Sequence, residues 1–142
     1  MYDPRFELTC FETIDPDSKI EILEALLGAL VLANLAYLRS HPDTPRLYAS
    51  GVRYESEPPG RDNWQDIPRT LALKNGDCED LACWRVAELI ARDGRAARPL
   101  VRTVHWQGRV IYHVQVTGPG MREPEDPSVR LGMHPEVAEV VL

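Results

Sequence analysis

Apolar residues along this chain recur in more than one rhythm, and each rhythm predicts a different element. Arg5 to Glu12 (RFELTCFE) alternates apolar and polar positions among β-formers, the period-two pattern of a strand. Asp15-Pro16-Asp17-Ser18 then offers a helix start, and a long amphipathic-to-apolar helix is expected from about Lys19 to Ser40, stopped before Pro42. The middle of that helix is apolar on most faces, which predicts packing on more than one side. Residues 42–62 contain Pro42, Pro45, Pro58, Pro59, Gly51 and Gly60, so loop is expected, with a short strand near Val52-Arg53-Tyr54.

Downstream, a short helix is expected over Ile67 to Leu73, and another from Cys78 to about Arg92, closed by Gly94 at its C-terminus. Arg98–Trp106 and Arg109–Thr117 predict a hairpin around Gln107-Gly108. Gly118 to Pro127 is turn-rich, and a final short element is expected near Val137 to Leu142. These elements predict an α+β fold, one layer of helices on an antiparallel sheet. A length of 142 residues suits one domain, 1–142. Residues 1–62 form its strand, long helix and loop region, and 63–142 its core.

Composition narrows the function classes. The net charge of −6 argues against a nucleic acid held through its phosphates. The arginines between Arg85 and Arg109 are spread over a helix, a loop and strands, which reads as solvated faces. Three cysteines, Cys10, Cys78 and Cys83, make neither a disulfide framework nor a zinc pattern, and so predict a reducing, cytoplasmic setting. MYDPRFEL lacks the basic start and apolar run of a signal peptide. The most apolar stretch, Ala25 to Leu38, is about fourteen residues, short for a membrane span and suited to a buried helix.

Chemistry concentrates around "KNGDCEDLACW", residues 74–84. Cys78, Ala82, Val86 and Leu89 form one helical stripe, with Arg85, Glu88 and Arg92 as a narrow wet strip beside it. Cys78 thus lies in the first turn at the edge of the packed face, where the helix dipole favours a thiolate. Asp77, Glu79 and Asp80 oppose that by favouring the neutral thiol. In the second hairpin strand His113 shares a face with Ile111 and Gln115, held rigidly among β-branched residues. Asp126, fixed before Pro127, suits an acceptor for the second ring proton of His113. From the residues alone, a packing cysteine, a metal ligand and a nucleophile all remain open for Cys78.

The run "WQDIPRTLALKNGDCEDLACWRVAEL", followed by "YHVQV" and "EDPS", resembles the bacterial transglutaminase-like cysteine peptidases over Asn63 to Met133. The resemblance implies a papain-like core, with the nucleophile starting a helix on an antiparallel sheet that carries His and Asp. It implies Cys78 as nucleophile, His113 as general base and then acid, and Asp126 as the residue that orients His113. It further implies that the Cys78 N–H forms part of an oxyanion hole, and that Trp64 lines the acyl site or shields the ion pair, beside the plain reading of Trp64 as a core residue. In the biofilm-adhesin-releasing members the acids flanking the cysteine bind calcium, which implies a Ca²⁺ on Asp77 and Glu79 here.

The expected function is therefore cysteine-dependent hydrolysis or acyl transfer on a protein or peptide amide, with no obligatory cofactor, no nucleic acid and no membrane. Two alternatives stand beside it. One is a non-catalytic binding or assembly module, phage- or prophage-encoded, with residues 1–62 as its partner surface. The other is a zinc site made directly by Cys78, His113 and Asp126.

Overall fold

The computed structural model describes residues 14–57 and 63–135. The strand expected over Arg5 to Glu12 and the element expected near Val137 to Leu142 lie outside the described residues. Described elements run α1 (Pro16–Ser40), β1 (Arg53–Tyr54), α2 (Ile67–Leu73), β2 (Asn75–Gly76), α3 (Cys78–Asp93), β3 (Arg98–Trp106), β4 (Arg109–Thr117) and α4 (Pro127–Arg130). A 3₁₀ turn at Leu47–Ala49 interrupts the first long loop. The class is α+β.

α1 starts earlier than expected because Asp15 caps it, accepting from the Ser18 N–H at 2.9 Å, with Pro16 suited to the first helical position. Its buried stripe is Leu27, Val31, Asn34, Leu35 and Leu38. By length and composition alone the whole helix is long and apolar enough to cross a membrane, which the fourteen-residue apolar count understates. Within the fold, α1 packs against α3 and β3. Asn34 fastens α2 to this helix, its Oδ1 accepting the buried Ile67 N–H at 2.9 Å.

α1 and α3 form one layer on the β3–β4 hairpin, which pairs antiparallel from Arg98↔Thr117 to Trp106↔Arg109. Gln107 and Gly108 both take positive φ, as a tight two-residue hairpin turn requires. The expectation of a single antiparallel sheet needs correction: β1 and β2 form a second, two-stranded sheet, and it is parallel. Its register sets Tyr54 against Gly76, two residues ahead of Cys78. A Cβ on Gly76 would come within 3.1 Å of the Asp80 Cβ and 3.3 Å of Leu81, so the glycine lets β2 lie against the first turn of α3. The core is built around α3, where Leu81, Ala82, Cys83, Trp84, Val86, Ala87 and Leu89 are buried.

Candidate active site

Asp77 is the N-cap of α3, and with Asp80 it forms a reciprocal capping box: each side chain accepts the other residue's backbone N–H. The acids flanking the cysteine are thus partly structural, as Asp77 and Asp80 start the helix. Cys78 is the first residue inside it and is 9% exposed, more enclosed than an edge position implies. The neighbouring Val114 backbone of β4 favours the thiolate. Burial, then the carboxylates of Glu79 and Asp77, outweigh that influence and push the thiol well above its ordinary value. Burial and these carboxylates thus favour the neutral Cys78 thiol.

His113 precedes Val114 in β4 and is 2% exposed. Its Nε2 lies 2.8 Å from Asp126 Oδ2, which leaves Nδ1 for any other partner. Gln115, two residues along on the same strand face, donates to the same Asp126 oxygen at 3.1 Å. Asp126 also caps α4, its Oδ1 accepting the Val129 N–H at 3.2 Å. Burial raises the Asp126 carboxyl, but the bonds from His113, Gln115 and Val129 outweigh it and hold the group below its ordinary range. This anion suits the role of orienting an imidazole and stabilising its protonated form.

A buried ion network ties the Asp126 segment to the cysteine's helix. Glu125 pairs its backbone with Val116 of β4. Its carboxylate takes Arg85 Nε at 2.6 Å and the Tyr48 hydroxyl at 2.9 Å. Arg85 also donates to Glu88 at 2.8 Å, and Glu88 accepts the Leu47 N–H at 2.8 Å. The wet strip expected of Arg85, Glu88 and Arg92 is thus overturned at its centre, since Glu88 is fully buried and Arg85 largely so. Helical spacing identifies the strip, but the partners come from residues about forty positions away in either direction.

On the other side of α3's start lies a cleft of about 150 Å³ lined by Glu57, Gln65, Asn75, Gly76, Asp77 and Asp80 among others. Carboxylate oxygens of Glu57, Asp77 and Asp80 lie within 4.8 Å of one another. Burial and then Asp77's charge push Asp80 well above the carboxylate range, although Gln65 and Asp77 backbone N–H groups bond it. These three carboxylates could hold a metal ion in place of that proton. Asp77 belongs to this group, whereas Glu79 is not part of it and acts on the Cys78 thiol.

Trp64 packs against the core, with its indole N–H buried and unpartnered among the described residues. The following Gln65 N–H bonds Asp80 Oδ1 at 2.6 Å, which brings this segment to the start of α3. Tyr54 is a member that sequence reasoning missed. Burial, then the nearby Cys78, Asp77 and Glu79, push its hydroxyl up to about 12, so it stays a hydrogen-bond donor. Gln115 was within reach of the period-two pattern that singles out His113; Tyr54 and Glu57 lie in loop-prone sequence that carries no such signal. The other cysteine in α3, Cys83, is buried and donates to the Leu27 carbonyl at 3.6 Å, as a packing residue should. No family model, curated protein or solved structure matches the chain.

Proposed function

We propose that this chain is a cysteine-dependent amide hydrolase of the transglutaminase-like kind, with a papain-like arrangement of Cys78, His113 and Asp126. The observation that carries the reading is the buried 2.8 Å His113–Asp126 bond, made from the strand β4 that packs against the helix begun by Cys78. A resting thiol is compatible with this chemistry, because an adjacent base activates the nucleophile when substrate arrives.

In the first step Cys78 gives its proton to His113 Nδ1, and the sulfur bonds to the amide carbon. Asp126 stabilises the imidazolium. The carbonyl oxygen becomes an oxyanion, received by the Cys78 backbone N–H, which in the first turn of α3 has no intrahelical acceptor. The unpartnered Trp64 N–H is suited to a second donor or to lining the acyl site. Collapse breaks the C–N bond, and His113 protonates the departing amine. Water then gives a proton to His113 and its oxygen to the thioester carbon, the C–S bond breaks, and the thiol is restored.

Calcium is an accessory to this reading. Glu57, Asp77 and Asp80 would hold it, and Glu79 is better assigned to the thiol's surroundings. When bound, the ion supplies positive charge beside Cys78, which offsets the carboxylates that oppose ionisation. A protein or peptide substrate in a reducing, cytoplasmic compartment completes the proposal.

The test is to incubate the chain with a peptide library and read new N-termini by mass spectrometry, with a labelled primary amine present to capture transamidation. New termini that vanish in Cys78→Ala and His113→Ala support hydrolysis. Label on glutamine side chains instead assigns the acyl group to an amine acceptor. Burial of Cys78 and its neutral thiol favour one second reading, a non-catalytic binding or assembly module; products absent from the unaltered chain support that and sink the enzyme.

A further inference from the structure

α1 is buried along one stripe and bare along the opposite one. Leu27, Val31, Asn34, Leu35 and Leu38 face the core. Half a turn around the helix, Ala25, Ala29, Leu32 and Ala36 recur at spacings of four, three and four, the period of a second helical face. All four are exposed, Leu32 to 67%, and Leu26 at the border to 37%. A solvated helix face carries charged and polar side chains at such positions, so this one is shaped for contact.

What covers it is indicated by charge. Glu21 and Arg39 stand eighteen residues apart, five turns at 3.6 residues per turn, so both fall on the same border of the stripe. Both are exposed, and neither has an ion-pair partner among the described residues. Their midpoint is residue 30, and the midpoint of the alanine–leucine stripe falls between residues 30 and 31.

The geometry points to a second copy of this chain as the partner, with two α1 helices packed antiparallel about a two-fold axis near residue 30. That axis sets Ala25 opposite Ala36 of the partner subunit, and Ala29 opposite Leu32 of the partner subunit. It also sets Glu21 opposite Arg39 of the partner subunit, and the axis makes each contact twice. The alanines allow close approach of the two backbones, and each leucine fills the space over the facing alanine. A parallel pair would instead put the two copies of Glu21 on opposite sides of the seam, and likewise those of Arg39, leaving both charges unmatched, so the charges select the antiparallel arrangement. A lipid surface is the main competing cover. Helices that lie on anionic lipid carry Lys and Arg along their polar border, whereas this border holds Asp17 and Glu21 beside Arg39.

Sedimentation velocity on the full chain across the micromolar range tests this. A dimer is expected. Glu21→Arg and Arg39→Glu should each weaken it roughly tenfold, and the double charge swap should restore it in one chain. Leu32→Glu should leave monomer with unaltered far-UV circular dichroism, since the residue touches solvent and not the core. A chain monomeric throughout, or a dimer indifferent to these changes, overturns the proposal. So does a monomer that dimerises only after removal of residues 1–13, or one that instead binds phosphatidylserine vesicles.

Discussion

At the scale of single residues, three groups divide the proposed chemistry. Cys78 supplies the sulfur, His113 moves the proton, and Asp126 holds the ring and its charge. Replacing His113 by Ala is expected to lower turnover of a cleaved peptide by about 10²–10⁴-fold, the usual contribution of a positioned general base. Asp126→Asn should cost about as much: an amide that keeps the Val129 N–H can only donate to Nε2, which turns the His113 lone pair away from Nδ1, and it cannot balance an imidazolium. Steady-state kinetics on both variants checks this, and a much smaller loss in Asp126→Asn would mean that Asp126 does not set the tautomer. The His113–Asp126 pair and the helix-start place of Cys78 were legible because each residue breaks a local pattern: a thiol at a helix start, a histidine among β-branched residues, an aspartate before proline. Tyr54 and Glu57 were not legible, since both come from loop-prone sequence and reach the site only through the parallel β1–β2 pairing.

Elements carry the next part of the account. The hairpin is legible to its end residues because Gln107-Gly108 punctuates two runs rich in β-formers. α3 is equally legible, framed by Asp77 and by Gly94, which takes the left-handed conformation that closes the helix. β1 is legible as the short strand expected near Val52-Arg53-Tyr54, but β2 and the parallel pairing are not, because two residues carry no period. Nor is the buried ion network that braces α3 against the Asp126 segment. Arg85→Met should therefore destabilise the fold by about 3–5 kcal/mol, because it removes the cation from the fully buried Glu88 and leaves Glu125 only Tyr48 and the more distant Arg130. Chemical denaturation measures this, and adding Glu88→Gln and Glu125→Gln should recover part of the loss. A change below about 1 kcal/mol would show the network to be as weak as an exposed pair.

For the whole molecule, the balance of charge around the start of α3 links stability to pH. Asp80 is raised by burial and by Asp77, so the folded chain holds this proton more tightly than the unfolded chain does. Its contribution is present in full below the ordinary carboxylate range of about 4 and is lost as pH rises toward the raised value, by at most about 1.4 kcal/mol per pH unit. Asp126 works with the opposite sign: its lowered value gives stability above that range, lost as pH falls through the folded value. Thermal melts should therefore show a decline that begins as pH rises above about 4 and continues toward the raised value, and that Asp80→Asn removes. Millimolar calcium should raise the melting temperature on the alkaline side in the unaltered chain and have no effect in Asp77→Asn/Asp80→Asn; an equal effect in both would place the ion elsewhere. The central claim, that His113 activates Cys78, is tested most directly by the rate of Cys78 alkylation by iodoacetamide against pH, read at the modified peptide. Because His113 takes the thiol proton as the sulfur attacks, Cys78 should react at pH values below the raised value that its surroundings set, sharply slower in His113→Ala, with buried Cys83 unreactive in both. A rate that follows an ordinary thiol and ignores the loss of His113 would contradict it.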